Sequence, residues 1–231
     1  MPALAFAGLA LLGAGCGSSG SESSASSKSP TELIEAAGNA SKSAKSVKLN
    51  VHVTGAAATN IEILNVPNQG VEGKIDVKGR QAEFIVAGGT FYLKGGEQLF
   101  AGSGAPSGLT SELKGKWIKI PGADAQSGGL TQVGDLAGLL DKNISELKSS
   151  KSHLTKTGET TINGKKVVGL TGTANGQKGT IFVEAAEPHY PVALEASEAS
   201  GGNAKATFED WNANAEVKAP ANAVDLQSLL G

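Results

Sequence analysis

The chain is short of the side chains that carry most covalent and redox chemistry, with one cysteine, one methionine and three histidines in 231 residues. A single thiol, Cys16, excludes an internal disulfide, and the absence of thiols after it excludes a cysteine-rich zinc site. His52, His153 and His189 are far apart and belong to no metal-ligand spacing such as HExxH. Serines and glycines are abundant, yet there is no GxSxG elbow, GxGxxG turn or GxxxxGK[ST] phosphate loop. Glu184, Glu187 and Asp210 could be assembled into a paired-carboxylate site, but they fit a solvated face and loop equally well. A formal net charge of −2 with interspersed signs leaves no basic footprint, so no nucleic-acid partner is expected. Neither enzymatic activity, a metal nor a cofactor is expected. Aromatics are only 4% of the chain, which singles out Trp117 and Trp211 as large amphipathic side chains suited to anchoring a sheet edge.

Long hydrophobic runs are also missing. The stretch Met1–Gly15, with Leu4, Phe6, Leu9, Leu11 and Leu12, falls short of the about 20 residues a spanning helix needs. It ends in small residues, Gly13, Ala14 and Gly15, directly before Cys16, and GSSGSESSASSK follows. An apolar run, small residues and a cysteine in that order resemble a bacterial lipoprotein signal, with Gly13 and a missing basic n-region as departures. The resemblance implies that residues 1–15 are a signal peptide and that Cys16 is acylated, so that the chain sits on the outer face of the cell membrane, in the envelope or periplasmic space. Residues 16–28 then form a flexible Ser/Gly tether that cannot bury apolar surface.

Residues 29–231 read as one domain. SPTE places Ser29 as N-cap, Pro30 at the first helical position and Glu32 to close a capping box. Leu33, Ala36, Ala37, Ala40, Ala44 and Val47 then recur at helical spacing, predicting a helix over about 31–45. The period next changes to two: KLNVHVTG, GVEGKIDVKG, QAEFIVAG, GTFYLKG and EQLFAG alternate, separated by glycines. GKWIKIPG predicts a further strand, and Leu130, Val133, Leu136, Ala137 and Leu140 a second amphipathic helix. Asn163-Gly164 and Asn175-Gly176 are hairpin signals, followed by strands in TIFVEA, YPVALEAS and NAKATFEDW and a tail from Ala219. Connections this short favour antiparallel pairing. The expected fold is α+β: a large curved antiparallel sheet, or half-barrel, with helices on its concave face.

In this order, the opening TELIEAAGNASKSAKSVKLNVHVTG, the central GKWIKIPG, the segment GETTINGKKVVGLTGTANGQKGTIFVEAAEPHYPVALEA and the closing ATFEDWNANAEVKAPANAV resemble the actinobacterial cell-envelope lipoproteins of the LppX/LprAFG type, and more distantly the LolA/LolB-like lipoprotein carriers. The resemblance implies an apolar cavity between sheet and helices that accommodates acyl chains. It implies binding and transfer of lipids, lipoglycans or other hydrophobic molecules, with the membrane and an envelope transporter as partners. The residues expected to line such a cavity are Leu33, Ala37, Ala40, Val47, Val51 and Val53, then Val77, Phe84, Val86, Phe91 and Leu93, and later Leu136, Leu140, Ile181, Val183, Leu194 and Phe208. Taken singly, most of them are better explained as ordinary core, and only a void would separate pocket wall from packed core. A lipidated scaffold or adhesion module with a filled core, binding a protein partner on its sheet, is the alternative reading.

Overall fold

The computed structural model describes residues 24–55, 58–97, 99, 107–120, 154–174, 177–197 and 202–225. Helix α1 spans Pro30–Ser43. Its start is the capping box: the Glu32 N–H donates to Ser29 Oγ (3.3 Å) and the Ser29 N–H donates to Glu32 Oε2 (2.7 Å). These bonds satisfy two amide groups that the first turn leaves without helical partners. The helix stops two residues before the expected Lys45, because Ala44 is already extended (φ −69°, ψ 143°) to lead into the sheet. Its buried stripe holds Leu33, Ile34, Ala37 and Ala40.

Among the described residues twelve strands make one sheet: β1 (Val47–Val53), β2 (Thr59–Val66), β3 (Gly70–Val77), β4 (Arg80–Ala87), β5 (Thr90–Gly95), β6 (Ile118–Ile120), β7 (Thr155–Ile162), β8 (Lys165–Ala174), β9 (Gln177–Glu184), β10 (Pro191–Ser197), β11 (Asn203–Glu209) and β12 (Val224–Asp225). Their order is β12-β6-β5-β4-β3-β2-β1-β11-β10-β9-β8-β7. Two meanders, β1 to β6 and β7 to β11, are joined where β1 pairs with β11. Pairing is antiparallel throughout the described strands except between β12 and β6, which are parallel. The observed architecture is a curved α+β sheet of mixed pairing with few helices among the described residues.

Several elements differ from the sequence expectation. Strand β2 is not marked by clean alternation, because Ile63 and Asn65 are buried on one face while Val66 is buried on the other. A strand covered on both sides loses its period of two. EQLFAG does not continue the meander: Glu97 and Leu99 are helical, and the Leu99 N–H donates to the Gly96 carbonyl (3.0 Å). Leu99 folds back onto Gly95, where a Cβ would come within 2.4 Å of Leu99 Cδ2. A short helix, α2 (Ser107–Leu113), lies in the Gly/Ser/Pro-rich region, and the expected tail contains β12. The second expected helix, at 130–140, lies outside the described residues.

The tether expected at 16–28 also differs at its end. Ala25 is fully buried, its N–H donates to the Ala185 carbonyl (3.1 Å), and Lys28 pairs with Glu187 (3.2 Å). Composition hides this docking because backbone groups and one alanine, rather than large apolar side chains, make most of it.

α1 and one sheet face share a continuous buried cluster that includes Leu33, Ile34, Leu49, Ile63, Phe84, Ile181, Val183 and Phe208. We call that face inner. The outer face has a smaller cluster of Val66, Ile85, Ala87, Tyr92 and Val217, with Trp117 packed against it. Val217 belongs to the segment after β11, which reaches β12 by crossing outside β2–β5; the Val217 N–H donates to Gln69 Oε1 (3.2 Å) and the Val224 N–H to the Trp117 carbonyl (2.8 Å).

Candidate functional site

The inner face is built from side chains that meet in register across strands. One row runs Leu170, Ile181, Leu194, Ala206, Val51, Ile61, Ile75 and Ala82, one residue from each of eight neighbouring strands. At about 4.8 Å between strands this apolar row is about 34 Å long. A second row, closer to α1, runs Phe208, Leu49, Ile63, Gly73, Phe84, Leu93 and Ile118. Gly73 is required there: a Cβ would stand 2.7 Å from Phe84 Cζ and 2.4 Å from the Glu62 carbonyl oxygen. The Phe84 ring occupies the space that Gly73 leaves, and it stacks on Phe91 with centroids 6.4 Å apart.

On β1, β2, β3 and β11 the inner-face burial falls away from α1. Val47, Phe84, Phe91, Ile181, Val183 and Phe208 are buried, together with Leu33, Ala37 and Ala40 of the helix. Val51, Val53, Val86, Leu93 and Leu194 are half-buried. Val77, at the far end of β3, is 38% exposed and is the one large hydrophobic side chain among the described residues that is open to this degree. Ile61 and Ile75, which the sequence argument did not select, are half-buried between Val51 and Val77. Alternation in GVEGKIDVKG places Ile75 on the face of Val71 and Val77, but only the register shows that Ile61 and Ile75 continue the row. Leu136, Leu140 and Cys16 lie outside the described residues.

The aromatic side chains brace the other end. Trp211 donates its Nε1–H to the Pro191 carbonyl (2.9 Å) and stacks on Tyr190, at 4.7 Å between centroids. Asn212 Oδ1 accepts from the Lys45 N–H (2.8 Å), and Ser46 Oγ donates to the Ala213 carbonyl (2.7 Å), so the α1–β1 junction is locked to the chain leaving β11. Trp117 lies on the outer face with Lys94 Nζ 5.6 Å from its ring centroid. Both tryptophans are packing anchors.

The polar groups considered for chemistry are otherwise engaged. Glu184 pairs with Lys165, Glu187 with Lys28 and Asp210 with Lys48 (2.7 Å), so the three carboxylates are separately neutralised by lysines. Asp210 bonding raises the pKa of the exposed Lys48 ammonium above its ordinary value. His52 contacts Asn60 on the outer face. His189 is 1% exposed, with Nδ1 2.9 Å from the Glu184 carbonyl oxygen and Nε2 3.5 Å from Ser24 Oγ. This Ser–His contact is a buried structural bridge, since the Ser24 hydroxyl donates to the Ala185 carbonyl (3.1 Å). Among the described residues no three metal-ligating side chains come together. No described helix is long and apolar enough to cross a membrane.

Solved structures with this arrangement exist. The Mycobacterium tuberculosis lipoprotein LppX aligns over 82% of this chain and 98% of its own, at 16% identity and a TM-score of 0.53. LprF from Mycobacterium bovis aligns over 84% of this chain and 97% of its own, also at 16% identity, with a TM-score of 0.57. The likeness is one of fold. A LolA superfamily protein from Nitrosomonas europaea aligns at 11% identity with a TM-score of 0.29, too low to support an argument. No protein-family model and no curated protein sequence matches the chain.

Proposed function

We propose that this protein is a membrane-anchored envelope lipoprotein that binds hydrophobic molecules, lipids or lipoglycans among them, and helps transfer them. The anchor is an acylated Cys16. The observation that carries the reading is the gradient on the inner face: a packed end at α1, then half-buried Val51, Val53, Ile61, Ile75 and Leu194, then exposed Val77. A sheet face left apolar and partly open is a surface on which acyl chains escape water, at about 0.8 kcal/mol per methylene. The half-buried members of the row, Leu194, Ala206, Val51, Ile61 and Ile75, suit an acyl chain lying across their strands, with its polar head at the rim. The fold shared with LppX, a lipoprotein, supports the same reading. Within the set proposed for cargo contact, Val51, Val53, Val77 and Leu194 are the primary positions, with Val86 and Leu93 beside them. Leu33, Ala37, Ala40, Val47, Phe84, Phe91, Ile181, Val183 and Phe208 form the floor that keeps the sheet in shape, and Leu136 and Leu140 stay within the set proposed for cargo contact.

Native mass spectrometry of the protein after gentle extraction tests the proposal. Co-purifying lipid, or stoichiometric uptake of a fluorescent fatty acid, is expected. Repeated lipid-free preparations that also take up no fatty acid would sink it. The second reading, a lipidated scaffold with a filled core, draws on the dense packing around Phe84 and Phe208, and that negative outcome would favour it.

A further inference from the structure

The outer face of β1–β5 carries a feature that lipid carriage does not use. Two adjoining clefts of about 390 and 730 Å³ open on it and share Glu62, Lys74 and Glu83, so they form one groove. Their size falls in the roughly 300–1,000 Å³ range of small-molecule sites. Crossing five strands, the groove is about 19 Å long, which suits an oligomer better than a single small unit. Leu64 and Ile85 contribute apolar surface to it and Trp117 stands at its rim.

The polar groups in this groove are unusual for a solvated sheet face. Lys74 is directly opposite Glu62 on β2 and Glu83 on β4, yet it pairs with neither. Among the described residues the side chains of Asn50, Glu62, Glu72 and Lys74, and the Trp117 indole N–H, make no hydrogen bond or ion pair. Their cross-strand neighbours close on each other: within the groove Lys94 pairs with Glu83 (3.1 Å), and elsewhere on the outer face Lys205 pairs with Glu195 (3.0 Å) and the Thr171 and Thr180 hydroxyls bond at 2.8 Å. The groove therefore presents open donors and acceptors side by side. Its lysines and carboxylates number four each, so it has no net charge with which to select an ion.

We propose that this outer-face groove binds a neutral oligosaccharide. Sugar hydroxyls donate and accept at once, so a chain of them satisfies alternating carboxylate, ammonium and amide groups without requiring a balancing charge. The Trp117 N–H supplies a directional donor at the rim, and the half-buried Leu64 side chain meets the C–H face of a ring. The site is separate from the inner face and stands whether or not that face carries lipid.

The test is a nitrogen-15 NMR titration of the protein with a panel of neutral hexasaccharides of glucose, mannose, galactose and N-acetylglucosamine. Heparin hexasaccharide and chitosan hexamer serve as the anionic and cationic comparisons. The expected result is perturbation of the Asn50, Glu62 and Lys74 amides and the Trp117 indole by at least one neutral sugar. Affinity should fall about tenfold in Glu62→Gln/Lys74→Gln, as expected for losing one or two hydrogen bonds, with the thermal midpoint and fatty-acid uptake unchanged. Asn50→Ala alone, which alters no charge, should weaken binding in the same direction. Silence toward all neutral sugars, a response confined to a charged oligosaccharide, or full affinity in the substituted proteins would each overturn the assignment.

Discussion

Lys156 Nζ lies 2.7 Å from the Lys28 carbonyl oxygen, and the same ammonium donates to the carbonyls of Ala25 (3.2 Å) and Ser26 (3.0 Å). An edge-strand lysine thus holds the turn that leads into α1. Cation and carbonyl dipoles suit each other, and a charged donor makes these bonds stronger than neutral ones. Strand β7 stands last in the sheet order, and its register with β8 shifts between Lys156 and Glu159, an irregularity that discourages pairing with another strand.

Replacing this lysine with methionine, Lys156→Met, keeps the stem and removes the donor. The Ala25 amide is expected to exchange about fivefold faster, the equivalent of about 1 kcal/mol of lost turn stability. Global unfolding should barely change. Hydrogen exchange read by mass spectrometry over residues 24–28 checks it, and unaltered protection would show that Ala25 burial alone fixes the turn.

Gly73→Ala should destabilise the fold by about 2–3 kcal/mol, because the added methyl meets both the Phe84 ring and the Glu62 backbone oxygen. Phe84 can rotate away, but the carbonyl cannot without breaking the β2–β3 ladder. Denaturant unfolding measures the loss. In Phe84→Ala, a cost of about 3–5 kcal/mol is expected from the cavity left in the core.

Val77→Asp separates cargo contact from packing. An exposed position at the end of β3 tolerates a charge at within about 0.5 kcal/mol of stability, whereas fatty-acid uptake should drop several-fold if chains lie across the far rows. Equal changes in uptake and stability would point to ordinary packing at this site.

Hydrogen bonds from Ser29, its side chain first and its backbone second, hold the Glu32 carboxyl below its ordinary value of 4.5. A carboxyl depressed in the folded state contributes stability above its unfolded pKa. That contribution is lost as pH falls through the folded value. Wild type and Glu32→Ala should therefore differ in thermal midpoint at pH 6 and converge at acid pH below the lowered value. A constant gap across the whole range would show that the ionised capping box is not the source.

Cys16→Ser should move the protein from the membrane to the soluble fraction of fractionated cells without altering the folding of residues 24–225. Unchanged membrane association would remove the anchor from the proposed function.

The opening helix was legible because its signals are local. Ser29, Pro30 and Glu32 specify where it begins, and each acts within one turn of the others. Most strands were legible for the same reason, through period-two alternation and glycine turns. Strand β2 was not, since Val66 and Ile63 are buried on opposite faces. Nor was the docking of Ala25, whose partner Ala185 lies in the β9–β10 hairpin, far along the chain. The candidate site was legible only as a pool of apolar residues. Leu33 and Val77 carry similar hydrophobic signals, yet one is fully buried and the other is 38% exposed.

By itself, the sequence determined α1, most of the strands with the faces their alternating side chains share, and the antiparallel habit, because capping, alternation and turn chemistry operate over a few residues. Only the tertiary structure decided that β1 pairs with β11, and so that Val51, Ile61 and Ile75 continue a row begun by Leu194 and Ala206. It likewise decided which end of that face α1 covers and left the groups around Lys74 unpaired on the other side. Pairing and coverage depend on side chains distant in sequence, whose energies appear only when the sheet brings them together.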